Sequence, residues 1–321
     1  MVRPLVEVVH VGSAARDIAP DDPRGWRLGG GVTFAALTTA RLGLRTAAVV
    51  GVDAEAATAS ELDALRAVGV DLVIVPLAEG PVFHNVETAD GRVQTMLRTG
   101  VPVHPIPLPE SWRRAAGWSL TPVADEVGDG WADVMDPAAV VAVGWQGMLR
   151  RLVAGERVRH IEPTERALLR RADLVGVSRH DVDPAMRLDA LTAYLRPGAR
   201  LLVTQGDQGG LLVTVGAAGP TEVLRYLPTR PDAEVDPTGA GDTFLAALLA
   251  ATIRPSVIGP RRSRVGSDLR FAAAAGSLAV EGHGLAGTPD LMAVRTRAFR
   301  ERIRRLVLPS ETAQVGVSEP P

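Results

Sequence analysis

From Val235 to Phe244 the chain reads Val-Asp-Pro-Thr-Gly-Ala-Gly-Asp-Thr-Phe, and an apolar stretch follows through Ala251. The spacing predicts a helix over 240–251. Gly239, Ala240 and Gly241 at its start leave several backbone N–H groups uncovered by side chains. Those amides sit at the positive end of the helix dipole and make an anion site from backbone alone. Asp242 falls in the first turn of the same helix, beside the bound anion, where a carboxylate can take a proton from an attacking hydroxyl. An anion hole and a base on one turn are what phosphoryl transfer to an alcohol requires. The same letters also fit a glycine turn and a capping Asp ahead of an ordinary helix, so the rest of the chain has to decide.

The elements that must position this turn are legible as alternating short apolar runs and helical spacings. Strands are predicted at Val6–Val11, Thr46–Val50, Leu72–Val75, Gly117–Leu120, Val140–Val143, Leu174–Val177 and Leu201–Thr204. Helices are predicted at Val32–Leu42, Ala54–Ala67, Glu165–Arg170 and Pro184–Leu195. This β-α-β-α order implies parallel strands with helices on both faces. Val82–Thr88 and Arg92–Arg98 alternate around Asp90-Gly91, a strong hairpin signal, and such a hairpin is expected to stand out of the sheet as a lid or an oligomer contact. Leu211–Val215 and Glu222–Tyr226 read as antiparallel additions at an edge. Ala240–Ala251, Ser267–Glu281 and Pro289–Leu306 read as helices. The expected organisation is one domain over 1–308 with the lid at 82–98. A polar, proline-containing tail over 309–321 is expected to be disordered.

Composition excludes much else. The 321 residues are 46% hydrophobic and 22% charged, ordinary for a globular enzyme. There is no cysteine and no lysine; all 35 basic residues are arginine. Thiolate nucleophiles and Cys-ligated metals are therefore excluded. So are Walker-A P-loops, protein kinases and Schiff-base enzymes, each of which needs its lysine. A net charge of −2 provides no field for nonspecific nucleic-acid binding. No apolar run approaches the length of a membrane span. The acid in the N-terminal Met-Val-Arg-Pro-Leu-Val-Glu speaks against a signal peptide. The expectation is a cytoplasmic protein without nucleic-acid or membrane partners. The six histidines show no metal-ligand spacing.

The string Asp236-Pro237-Thr238-Gly239-Ala240-Gly241-Asp242 resembles the Asp-Thr-x-Gly-Ala-Gly-Asp signature of the ribokinase-like (PfkB) carbohydrate kinases, with Pro237 in place of the usual Thr. The resemblance runs from Val6 to about Arg305. It implies a three-layer α/β sandwich with a mostly parallel central sheet and a β lid. Gly12-Ser13-Ala14-Ala15-Arg16-Asp17 after the first strand matches the family's Gly-x-x-x-x-Asp, so Asp17 is the implied holder of substrate hydroxyls. Gly29-Gly30-Gly31 through Arg41-Leu42-Gly43 matches the family's glycine pair opening a helix, where glycines let backbone approach the sugar. Phe34 stands where many ribokinase relatives carry a sugar-binding Asn. It either stacks on an apolar sugar face or belongs to the core, and plain ribose is not the expected substrate.

Ser178-Arg179-His180-Asp181 occupies the place of the family's Asn-x-x-Glu, which makes Asp181 the implied outer-sphere Mg²⁺ carboxylate. Thr204-Gln205-Gly206-Asp207-Gln208-Gly209 matches Thr-x-Gly-x-x-Gly, implying that Thr204, Gly206 and Gly209 border the phosphates and ribose of ATP. Gly284, after an Ala-rich helix, is implied beside adenine. A monovalent cation is implied beside Asp236, as in some relatives. Only eleven residues separate Asp17 from Gly29, where ribokinase has a long pair of lid strands. The lid is therefore expected to be reduced to the 82–98 hairpin, and the protein to be a monomer or weak homodimer. Gly31-Val32-Thr33-Phe34, His84-Asn85, Gln94, Thr121-Pro122-Val123-Ala124-Asp125-Glu126 and Gln146–Arg150 resemble the inositol-kinase-like branch. Asn85, Gln94 and Gln146 are neutral hydrogen-bonders suited to a ring of hydroxyls, and Arg150 to an anionic group or the transferred phosphoryl.

The function this implies is ATP- and Mg²⁺-dependent phosphorylation of a small sugar or cyclic polyol, with Asp242 as base. Two alternatives stand beside it. One is a nucleoside kinase of the same fold, for which Phe34 and Phe83 are the candidate aromatic platforms. The other is a non-catalytic nucleotide-binding regulatory protein, which the altered Ser178/Asp181 pair favours and the intact anion loop disfavours.

Overall fold

Short apolar runs bounded by turn residues become the central, parallel strands of a ten-stranded sheet. The computed structural model describes residues 6–88, 91–183, 185–227, 231–259 and 266–306. In chain order the first strands are β1 (Val8–Ser13), β2 (Ala15–Ile18), β3 (Trp26–Gly29), β4 (Thr46–Val52) and β5 (Asp71–Pro76). Then come β6 (Val82–Thr88), β7 (Gly91–Arg98), β8 (Gly117–Leu120), β9 (Val140–Gly144), β10 (Arg150–Arg151) and β11 (Arg159–His160). The series ends with β12 (Leu174–Ser178), β13 (Arg200–Thr204), β14 (Gly210–Gly216), β15 (Gly219–Leu227) and β16 (Arg302–Leu306). The large sheet runs β16-β15-β14-β13-β12-β9-β8-β1-β4-β5. Every pairing from β13 to β5 is parallel, and β14 to β16 are added antiparallel.

The helices are α1 (Gly31–Arg41), α2 (Ser60–Ala67), α3 (Glu110–Arg113) and α4 (Ala167–Arg171), followed by α5 (Leu188–Thr192), α6 (Ala240–Ile253), α7 (Ser267–Ala279) and α8 (Leu291–Arg297). Strand residues alternate between two cores. Val9 and Val11 of β1 face a core with Trp112, Trp131, Leu168 and Leu191, whereas Val8 faces Leu245, Leu248 and Leu249 of α6. This is the three-layer arrangement that the βα order implies. The run of α6 is apolar on every side, and Thr243 through Ala251 are all buried. Such a helix is held wholly by packing, which fixes the turn at its start.

Three readings change. Pro289–Leu306 is not one helix: α8 stops at Arg297 and the chain returns as β16 beside β15. Ile303 and Leu306 are the half-buried residues of that stretch, and pairing satisfies the backbone of an otherwise bare β15 edge. Ala54–Ala67 is split into a short 3₁₀ turn, 56–58, and α2. The lid hairpin forms, but it is half of a four-stranded sheet ordered β3-β2-β6-β7. The eleven residues after Asp17 suffice because β2 and β3 are four residues each, joined by a turn in which Ala19 N donates to Gly25 O (3.0 Å). The hairpin's turn residues 89–90 and the tail 309–321 lie outside the described residues. Among the described residues no helix is long and apolar enough to cross a membrane.

Candidate active site

Two motifs far apart in sequence meet where α1 and α6 begin. Gly31 opens α1 and Asp242 sits in the first turn of α6. A Cβ built on Gly31 would lie 2.6 Å from Asp242 Oδ1 and 2.8 Å from Thr121 Cβ. Two residues earlier, a Cβ on Gly29 would lie 2.4 Å from Asp17 Oδ2. The glycine triplet therefore spans the gap between two carboxylates. Three residues reach at most about 7 Å from first Cα to last, roughly the width of one sugar ring. Gly30, between them, has φ 97° and caps α1, and a Cβ there would strike Ser13 O at 2.4 Å. Only glycine fits all three positions.

The Asp242 carboxyl is pushed up from 3.8 to about 7, first by burial and then by the Asp181 carboxylate, while Arg150 opposes the rise. A carboxyl near neutrality is suited to exchange a proton with an alcohol. Gly239 caps α6 in the left-handed region, φ 76°. Its missing Cβ would fall 2.2 Å from the Phe34 ring. Phe34 is 2% exposed and belongs to the core beneath the loop, so of the two readings of Phe34 the packed one holds. The Ala240 amide turns to Pro237 O (3.3 Å). Nothing lies within 4 Å of a Cβ on Gly241, and among the described residues its amide has no partner within the chain. Of the three amides of the expected nest, only that of Ala240 is turned to an acceptor within the chain among the described residues.

At the sugar end, Asn85 Nδ2 donates to Asp17 Oδ1 (3.1 Å) and Gln94 Nε2 donates to Asn85 Oδ1 (2.7 Å). The three residues predicted as hydroxyl-binders form one polar chain. Each amide nitrogen donates once within this chain and keeps a second N–H, so the cluster can both donate to and accept from a ring of hydroxyls. Gln146 and Arg150 go elsewhere. Gln146 Nε2 (3.0 Å) and Arg150 Nη2 (2.9 Å) both donate to Asp181 Oδ1, while Ser178 N donates to Asp181 Oδ2 (3.1 Å). Asp181 and Ser178 complete a reciprocal cap on the turn after β12.

Among the described residues no cluster of three or more His, Cys, Asp or Glu is placed to hold a metal. Asp181 is near enough to Asp242 to raise its carboxyl, but its oxygens accept from Gln146, Arg150 and Ser178 N, so the fit to Mg²⁺ is an outer-sphere one, through the waters that the ion keeps. Asp236 is different: Oδ1 accepts from Thr238 N and Oδ2 from Gly284 N, both at 2.9 Å. Its carboxylate braces the anion loop against the Gly284 turn, with one of these bonds on each oxygen. Gly206 (φ 56°), Gly209 (φ 83°) and Gly284 (φ 48°) lie in the left-handed region, and a Cβ on Gly206 or Gly284 would meet open space. Gln205 N closes the Gly206 turn onto Gly209 O (2.7 Å).

Sequence reasoning missed two struts. Glu126 is buried, and its carboxylate accepts from Ser13 N (3.0 Å), Val123 N (3.0 Å) and Ala124 N (2.8 Å). It ties the end of β1 to the loop after β8, and burial pushes its pKa up. Arg16 on β2 reaches Asp53 (2.7 Å) after β4 and anchors the lid sheet to the body. The bonds from Glu126 to Ser13 N and from Arg16 to Asp53 have no local spacing signal, because each joins segments distant in the chain.

Residues 162–291 match the model of the pfkB family carbohydrate kinases. The chain is 29% identical to a cytidine kinase of Thermococcus kodakarensis over 270 residues, 78% of this chain and 90% of that protein. Its structure is similar to a pyrophosphate-dependent kinase of the ribokinase family complexed with a pyrophosphate analog and myo-inositol. The TM-score there is 0.67 at 18% identity, covering 91% of this chain and 99% of the other. It is also similar to Arabidopsis thaliana ribokinase complexed with ribose and ATP, with a TM-score of 0.62 at 20% identity, covering 91% and 98%.

Proposed function

Starting from a chain that carries a pfkB family carbohydrate kinase domain in a ribokinase-like fold, we propose that it transfers a phosphoryl group from ATP to one hydroxyl of a small sugar or inositol-like cyclic polyol. The observation that carries this reading is the Gly29-Gly30-Gly31 bridge between Asp17 and Asp242. A ring laid across it offers hydroxyls to Asp17 at one end and presents another to Asp242 at the other.

Asp17, oriented by Asn85 and Gln94, accepts from substrate hydroxyls and fixes the ring. Asp242 accepts the proton of the attacking hydroxyl as its oxygen bonds to the γ-phosphorus and the bond from that phosphorus to the bridging oxygen breaks, ADP leaving with the electron pair. The Gly241 amide at the start of α6 faces the negative charge of the group in transit. Arg150 adds a cation at the same end and is held in reserve on Asp181. Bound Mg²⁺ supplies charge neutralisation on the donor phosphates, and Asp181 is the residue to hold it, through water. The turns at Thr204–Gly209 and Gly284 flank the donor.

A second reading, a nucleoside kinase, is favoured by the similarity to the cytidine kinase along 90% of its length. Against it, Phe34 lies under the anion loop and Phe83 is buried in the lid's own core. Neither offers a face for a base. The test is a panel of inositols, monosaccharides and nucleosides with ATP or pyrophosphate as donor, read by mass of the phosphorylated product. The highest kcat/KM on a polyol is expected. The highest value on a nucleoside transfers the assignment to the second reading, and no product with any acceptor overturns both.

A further inference from the structure

Between β9 and β12 the chain leaves the main sheet. β10 and β11 pair as Arg150↔His160 and Arg151↔Arg159, and Ile161 N donates to Leu149 O (3.0 Å). This excursion is a hairpin rooted at Leu149. Its far end lies along the open edge of lid strand β7. Gly155 N donates to Met96 O (2.8 Å), Met96 N to Glu156 O (2.9 Å) and Val158 N to Gln94 O (2.9 Å). Thr95 and Arg157 form an antiparallel bridge. The hairpin thereby adds a fifth rung to the lid sheet. Leu152 and Val158 pack on the small core of Ala15, Phe83, Met96 and Val123, so the attachment is apolar as well as hydrogen-bonded.

The hairpin touches both ends of the site. At its far end it holds the backbone of Gln94, whose side chain orients Asn85 and through it Asp17. At its root, Arg150 reaches Asp181. We propose that the 150–161 hairpin is a strap that sets Arg150 according to the position of the lid, making Leu152 and Val158 positioning residues for phosphoryl transfer. The proposal rests on the kinase reading above. Three backbone bonds and an apolar contact make lid and strap move together. The paired strands of the ladder carry that displacement back to Arg150, its first residue. Substrate hydroxyls that draw the lid down through Asp17 and Asn85 then bring the guanidinium from Asp181 toward the incoming phosphoryl group.

The test is a pair of double-mutant cycles. Val158→Pro removes the donor to Gln94 O, and Leu152→Ser loosens the packing while leaving the backbone intact, so one can be read if the other fails to fold. Each is combined with Arg150→Met, and kcat and KM are measured on the acceptor identified by the panel. Each strap variant is expected to lower kcat about tenfold alone and less than about twofold beside Arg150→Met, because positions acting through one group are not additive. Equal losses in both backgrounds, or an unchanged kcat in both strap variants, would overturn the proposal. Amide hydrogen exchange separates this from failure of the kinase reading. In Val158→Pro, Met96 and Gly155 should lose protection while Val9 and Leu201 keep theirs, whether or not an acceptor is found. Retained protection at Met96 and Gly155 also overturns it. With no acceptor found, the cycles are read on ATP affinity by calorimetry, where additive losses count against the strap and coupled losses for it.

Discussion

Gly31→Ala isolates the contact on which the site depends. The added methyl carbon would lie 2.6 Å from Asp242 Oδ1 and 2.8 Å from Thr121 Cβ. Comfortable carbon contacts begin at about 3.5 Å, so each neighbour is too close by roughly 0.7–0.9 Å. Relief on one side comes at the expense of the other. Displacement of Asp242 relative to α1 is the response, since Thr121 is buried at the end of the β8 run. A misplacement on the order of 1 Å costs about 10²-fold in rate. The backbone at Gly31 needs no positive φ, and alanine favours a helix by about 1 kcal/mol over glycine, which offsets part of the overpacking cost of about 1–3 kcal/mol. The expected outcome is a folded variant with kcat down about 10²-fold and a melting temperature within a few degrees of wild type. The assay is steady-state product formation beside thermal circular dichroism. Gly128→Ala is the control, because a Cβ there meets nothing within 4 Å. A Gly31→Ala enzyme turning over like the control would refute the placement of the carboxylate.

The remaining predictions concern the same turn and its support. Because burial and Asp181 raise the Asp242 carboxyl to about 7, kcat/KM should climb with pH through neutrality; a profile flat from acid to alkaline pH removes Asp242 from the reaction. The folded state holds this proton more tightly than the unfolded chain does. The stabilisation it contributes is therefore present at low pH and lost as pH rises through about 7. Asp242→Asn should accordingly melt above wild type at about pH 8 and level with it near pH 4, and the opposite order contradicts the shift. Gly239→Ala forces a Cβ into the Phe34 ring at a left-handed position and should cost both stability and turnover; a fully active, fully stable variant would mean that the loop is placed differently. Phe34→Ala empties a buried site and should destabilise by about 3–5 kcal/mol in urea titration; a change in acceptor preference without loss of stability would return Phe34 to the sugar pocket.

Short-range pattern and long-range pairing were not equally legible. The strands β1, β4, β8, β9, β12 and β13 and the helices α1, α6 and α7 follow from apolar spacing and glycine stops that act within a few residues. Asp242, Gly239 and Gly241 were visible for the same reason: one turn contains them all. The Asp17–Asn85–Gln94 chain was found only as three separate residues, because lid register brings them together. The residue types of Gln146 and Arg150 suit a substrate contact, whereas their attachment to Asp181 depends on a loop after β9 meeting a turn after β12. β16 was read as helix because Arg, Leu and Ile tolerate either state, and the free edge of β15 settled it. Glu126 was one acid in a loop until the fold gave it three amide donors. The strap had no periodic signal at all, with two-residue strands separated by a glycine turn.

The central claim is that Asp242 takes the proton from the acceptor hydroxyl while the start of α6 holds the transferred group. Rapid-quench single turnover of Asp242→Asn, paired with calorimetric ATP binding to the same protein, tests it most directly. The account predicts ATP affinity close to wild type and no phosphorylated acceptor within many wild-type turnover times. A burst of product at the wild-type rate would contradict it.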